Sequence, residues 1–127
     1  MKYSNILIGL IDDEQVFHWI AEKFLEKINN GLQSKSFYNG AEALEYLKDE
    51  TNPIPTILFL DINMPIVNGW GFLDEFTSIK DQIGQEISIY IVSSSVDPED
   101  YKKAKEYEYV KGFISKPLSQ KIIEDLL

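Results

Sequence analysis

Apolar positions follow two different periods along this chain, and the two alternate. Continuous aliphatic runs occur at Asn5-Ile6-Leu7-Ile8-Gly9-Leu10-Ile11, at Ile57-Leu58-Phe59-Leu60 and from Ile87 to Val92. Runs of that length and β-branched content predict buried strands. Shorter runs at 33–38 and 111–114 add two more. Between the runs, apolar residues recur every three to four positions, the helical period. Phe17, Ile20, Ala21, Phe24, Leu25 and Ile28 do so within 14–30, Ala43, Leu44 and Leu47 within 40–49, and Phe72, Leu73, Phe76 and Ile79 within 70–82.

The punctuation between these segments agrees with the periods. Asn29-Asn30-Gly31 predicts the end of the first helix, and Asn39 predicts a cap for the second. Thr51 to Pro55 reads as a turn. Asp97-Pro98-Glu99-Asp100 predicts a capped start with proline in the first turn, opening a helix to about residue 107. Ser119 predicts the cap of a last helix through Leu127. Five strand–helix units with short connections imply an α/β fold, a parallel sheet covered on both faces. The 127 residues are expected to form one domain, with no linker, repeat or low-complexity tract.

Parallel strands all point one way, so the residues ending them share one rim, where open α/β sheets bind ligands. Asp12-Asp13 ends the first apolar run and Asp61 ends the third. If those strands are neighbours, three carboxylates meet. At ~5 Å and an effective dielectric of ~20, each pair repels by roughly 3 kcal/mol. A hard divalent cation removes that conflict, and magnesium binds through a few carboxylates plus water and phosphate oxygens. The fourth strand runs into Ser93-Ser94-Ser95 and the fifth into Ser115-Lys116-Pro117. A carboxylate nucleophile, a hydroxyl donor, an ammonium and a cation together can hold a phosphoryl group.

Composition narrows the function classes. Apolar residues make up 44% and charged residues 26%, as in ordinary globular domains. The formal charge of −9 argues against direct nucleic-acid binding through phosphate neutralisation. Lys102, Lys103 and Lys105 alternate with acids and read as a solvated helix face. Cysteine is absent, which removes disulfides and thiolate metal sites. With no signal-peptide pattern and no apolar stretch of spanning length, a cytoplasmic location without membrane insertion is expected.

The chain resembles the receiver domain of two-component response regulators. The resemblance rests on Asp12-Asp13, on Asp61 with Met64-Pro65 and Gly69, on Ser93, and on Lys116-Pro117, in order and on the right strand ends. It implies a flavodoxin-like, doubly wound five-stranded parallel sheet of order 2-1-3-4-5. It implies that Asp61 accepts a phosphoryl group from a histidine kinase or phosphotransfer protein. Asp13 and Asp61 would bind Mg²⁺ directly with the carbonyl of Asn63, and Asp12 mainly through water. Lys116 would pair with phosphoryl oxygens, aimed by a cis bond to Pro117. Ser93 would move toward the phosphoryl group and Phe113 turn inward behind it. The surface of helix 97–107, strand 111–114 and helix 119–127 would then change for a downstream partner, with the chain a monomer or a phosphorylation-dependent homodimer.

Competing readings attach to several residues. Asp12-Asp13 could also cap the first helix while binding metal, and Asp61 could instead cap a turn. Ser94 would leave the phosphoryl group accessible, with Asn63 and Ser95 tuning its hydrolysis. His18 reads as a partly exposed packing residue, and Trp19 and Trp70 as half-buried. Tyr101, Tyr107 and Tyr109 fall near the output face. Phe113 lacks the hydroxyl that a tyrosine would offer there, and the segment 77–86 is long for a connection. A phosphorylation-independent interaction module is the alternative function. A phosphohydrolase with an Asp nucleophile would need an acid two residues on, where Asn63 stands. Self-dephosphorylation is therefore expected, and turnover of an external substrate is not.

Overall fold

The aliphatic runs pair side by side in parallel, as a computed structural model of residues 6–28, 31–64 and 67–127 describes. The elements in chain order are β1 (Leu7–Ile11), α1 (Gln15–Ile28), β2 (Gln33–Phe37), α2 (Gly40–Lys48), β3 (Ile57–Leu60), α3 (Gly69–Ile79), β4 (Ser88–Ser93), α4 (Pro98–Ala104), β5 (Val110–Ser115) and α5 (Gln120–Leu126). Sheet order is β2-β1-β3-β4-β5. Every described pairing is parallel, so the expected doubly wound order holds.

Alternation along the central strands builds two cores. Ile8 and Leu10 of β1 join Ile57 and Phe59 of β3 beneath α1 and α5, with Ala21, Leu25 and Ile123. Ile11, Leu58, Leu60, Ile89 and Ile91 face the other way, toward Leu44 and Leu47 of α2 and Phe72, Leu73 and Phe76 of α3. Because both faces are covered, these strands are apolar throughout rather than alternating.

The predicted helix caps form. Asn39 Oδ1 accepts the Glu42 N–H, Asp97 Oδ1 accepts the Glu99 N–H, and Ser119 Oγ accepts the Ile122 N–H. Several boundaries move. α4 ends at Ala104 instead of 107, because Tyr107 turns away to stack on Trp70 and its carbonyl accepts the Val110 N–H. The third helix stops at Ile79 and passes into a short 3-10 turn over Lys80–Gln82. The long connection then closes through Gln85, whose amide donates to the carbonyls of Ile54 and Pro55. The expected stop at Asn29-Asn30 and the residues Pro65 and Ile66 lie outside the described residues.

Two expectations about α1 need correction. His18 is fully buried rather than partly exposed, and Trp19 is 60% exposed rather than half-buried. The inner stripe of α1 runs through His18, Ala21 and Leu25. Ile20, which the apolar spacing places inside, is 47% exposed. Hydropathy put the stripe about one position off, because a polar imidazole occupies an inward site.

A candidate phosphoryl-transfer site at the sheet rim

Register brings the acids together. Ile11 pairs with Leu60, so Asp12 and Asp61 leave adjacent strands at the same level. Ser93 pairs with Ser115, which puts Lys116 just beyond it on the next strand. Asp12, Asp13 and Asp61 each offer a carboxylate oxygen, and these oxygens lie within 4.8 Å of one another. The cluster is what the sequence predicts, and the residues fit a hard cation. All of the donors are oxygens and no imidazole or thiolate stands among them.

Lys116 is the counterweight. Its Nζ donates to Asp12 Oδ2 at 2.7 Å and lies 3.8 Å from Asp61 Oδ2 and 3.4 Å from Glu14 Oε1. The bond to Pro117 is cis, as the resemblance implied. The ammonium also lies over the ring of Phe17, 5.1 Å from its centroid. One ammonium offsets one of the three rim charges, and a divalent cation would offset the other two. Burial draws the lysine's pKa down, but the hydrogen bond to Asp12 and the charges of Asp12, Asp61 and Glu14 outweigh it and hold the pKa above the usual lysine value.

Asp61 carries the strain of this arrangement. Its residue is only 6% exposed. Burial, then repulsion from Asp12, push its pKa from 3.8 up to about 6, against the pull of Lys116 and the Asn63 N–H. That N–H donates to Asp61 Oδ1 at 3.3 Å. Gly69 lets the following loop close over the strand end. A Cβ there would stand 2.7 Å from the Asp61 carbonyl oxygen and 2.7 Å from Ile62 Cα.

The residues expected to act as a switch, Ser93 and Phe113, are each linked to α4. Ser93 is buried and its Oγ accepts the Ser95 N–H at 3.1 Å, leaving its own O–H for another acceptor. The Ser95 hydroxyl bonds Asp100 in the first turn of α4. Phe113 is half-buried and stacks on Tyr101 of α4, with centroids 4.1 Å apart and planes at 30°. The hydroxyl that Phe113 lacks is supplied from α4, since Tyr101 Oη lies 3.3 Å from Ser115 Oγ.

Sequence reasoning missed Glu14 and Phe17 as neighbours of the site, and it placed Tyr101 near the output face without its contacts to Phe113 and Ser115. Glu14 and Phe17 follow the acid pair closely, yet only tertiary packing shows that Lys116 reaches them. The tyrosine has no sequence signal beyond its place in an amphipathic helix.

The whole site lies within the match to the response regulator receiver domain family, which covers residues 8–127. The chain belongs to that family, whose general function is a phosphorylatable switch in two-component signalling. The DNA-binding transcriptional regulator NtrC of Escherichia coli strain K12 is 35% identical over 69 residues, 54% of this chain and 14% of that protein. The chain therefore spans a small part of that relative's length. A two component response regulator from Cytophaga hutchinsonii shares the structure with a TM-score of 0.85 at 27% identity, covering 97% of this chain and 94% of that one. The Mn(2+)-bound form of response regulator Rcp1 shares the fold with a TM-score of 0.78 at 20% identity, covering 95% and 88%. Receiver domains interact with histidine kinases and downstream effectors. No helix among the described residues is long and apolar enough to cross a membrane.

Proposed function

We propose that Asp61 takes a phosphoryl group from a phosphohistidine, with Mg²⁺ held by Asp13, Asp61 and the Asn63 carbonyl, and by Asp12 through water. The observation that carries this reading is the convergence at the strand ends of three carboxylates, with oxygens within 4.8 Å of one another, and of Lys116, 2.7 Å from Asp12 and 3.8 Å from Asp61. An Asp61 oxygen attacks phosphorus, the P–N bond breaks, and its electron pair stays on the donor imidazole. Bound Mg²⁺ would neutralise charge on the phosphoryl oxygens and relieve repulsion among the acids. Lys116, now on Asp12, turns to the phosphoryl oxygens. Ser93 donates its O–H to another of them.

Movement of Ser93 would loosen its link to Ser95, and through Ser95 the tie to α4. Phe113 would leave Tyr101 and turn inward. The exposed surface of α4, β5 and α5 would then differ between the two states, for a downstream protein or a second copy of this chain. Water would later hydrolyse the acyl phosphate. Asn63 offers no general base for an external substrate, so no catalytic turnover is assigned.

The test is intact mass after incubation with acetyl phosphate and Mg²⁺, beside Asp61→Asn and a metal-free control. A single phosphoryl adduct requiring both Asp61 and metal is expected. If no adduct forms and beryllofluoride leaves Trp70 fluorescence unchanged, the phosphorylation-independent module takes the place of this reading.

A further inference from the structure

We propose that His18 is a positioning residue for the metal-binding acids: it grips the peptide between Asp12 and Asp13 and so fixes where the Asp13 carboxylate stands. The inference rests on the function proposed above. His18 is the single histidine of the chain and is fully buried on the inner face of α1. For a core position it is a costly choice. Among the described residues its Nδ1 has no hydrogen-bond partner, and leaving a buried polar atom unsatisfied carries a cost that a leucine would avoid.

What the ring does contact is the site. Nε2 lies 2.7 Å from the Asp12 carbonyl oxygen. A carbonyl only accepts, so Nε2 carries the proton. Tyr38 and Phe17, with ring centroids 4.5 Å and 5.8 Å away, hold the ring in place. The two acids differ in how they are held. Asp12 is fixed through its side chain, by Lys116 and by the Glu14 N–H, and its own N–H bonds the Phe37 carbonyl. The Asp13 carboxylate is exposed and makes no hydrogen bond among the described residues. Its position depends on the backbone. The Asp12 carbonyl and the Asp13 nitrogen belong to one planar peptide, so holding that oxygen orients the Asp13 Cα and its side chain.

Calorimetric titration of the full chain with Mg²⁺ tests this. His18→Leu removes the donor and is expected to weaken binding about tenfold, the usual scale for losing a group that orients a ligand. His18→Gln, whose amide can reach the same carbonyl, should recover most of the loss. In an Asp13→Asn background His18→Leu should change nothing further. A folded His18→Leu protein that binds Mg²⁺ as the wild type does overturns the inference, as does equal weakness of the leucine and glutamine variants. If neither variant folds, the ¹⁵N imidazole signals of the wild type decide. An Nε2–H tautomer whose resonance shifts and saturates with Mg²⁺ supports the inference. An Nδ1–H tautomer, or an unresponsive ring, overturns it. Wild-type protein that binds no Mg²⁺ overturns the proposed function together with this inference, whereas wild-type binding with an indifferent His18→Leu removes this inference alone.

Discussion

At the rim of β1 and β3, three carboxylates share one ammonium. Along the seam between α3 and the start of β5, aromatic side chains satisfy one another instead. Trp70 stacks on Tyr107 at 6.2 Å, Tyr107 tilts against Tyr109 at 5.9 Å, and Phe76 meets Tyr109 edge-on at 5.0 Å. The polar ends of the rings are paired as well. Tyr109 donates to the Leu73 carbonyl at 2.8 Å, and Tyr107 donates to Asp74 at 2.7 Å. Burial, and with it the charge of Asp74, raises the pKa of both phenols, so they stay neutral donors. Lys103 is exposed on its helix, as expected, and its ammonium also lies over Trp70, 4.9 Å from the ring centroid. The seam is close to its best arrangement without a ligand. The acidic pocket is not, and its unrelieved repulsion is what a cation and a phosphoryl group can act on.

The largest break in this contrast comes from the seam. Phe76→Ala should cost about 3–5 kcal/mol, read as a lower urea midpoint, because Phe76 is buried between Phe72 and Tyr109. The folded protein should bind Mg²⁺ unchanged, and a matching fall in affinity would show that the two regions are not independent.

Relief of the pocket comes next. At about 100 times its dissociation constant, Mg²⁺ should stabilise the wild type by about 2.7 kcal/mol at neutral pH. Thermal melts with and without metal check this, and Asp13→Asn should lose most of the gain.

A smaller effect separates the regions by pH. Asp61 has a pKa of about 6 in the folded chain against 3.8 as the ordinary value. Between those values the folded state binds more protons than the unfolded one. The metal-free wild type therefore loses stability as pH rises through that window. Above about pH 6 both states are ionised and the full penalty stands. Below pH 3.8 both are protonated and it vanishes. Asp61→Asn should accordingly stabilise the metal-free protein at pH 7 by about 1–2 kcal/mol, with screening at the open rim allowed for, and by almost nothing near pH 4. Urea melts at the two pH values would show a constant difference if the carboxylate were unstrained.

The smallest change is Tyr109→Phe. It removes the phenol's hydrogen bonds to the Leu73 carbonyl and with the Thr77 hydroxyl and should cost about 0.5–1.5 kcal/mol, equally at both pH values. Thr77 also donates to the Leu73 carbonyl, so that acceptor keeps a partner and the cost should fall at the low end.

Much of this molecule was legible before folding. The aliphatic runs, the caps at Asn39, Asp97 and Ser119, and the acids and lysine at strand ends are local signals, and local physics places them. The runs implied a parallel sheet covered on both faces, and its strand order came from the resemblance to the receiver domain. The environments of side chains on α1 were not legible. Apolar spacing cannot show that an imidazole faces the core and a tryptophan faces water. Nor could the helix ends near Ile79 and Ala104 be read, because packing of Tyr107 and the closing contact of Gln85 decide them.

The sequence by itself determined that this chain folds as alternating strands and helices, with its chemistry at one sheet edge, since periodicity and strand direction need no long-range information. Only the tertiary structure decided how that chemistry is held. Lys116 reaches Asp12 across 104 positions of sequence, and His18 reaches back to the Asp12 carbonyl from inside the core. Such contacts depend on register and on helix rotation about its axis. A one-residue change in either leaves the hydropathy pattern nearly the same but moves a side chain from the site into solvent.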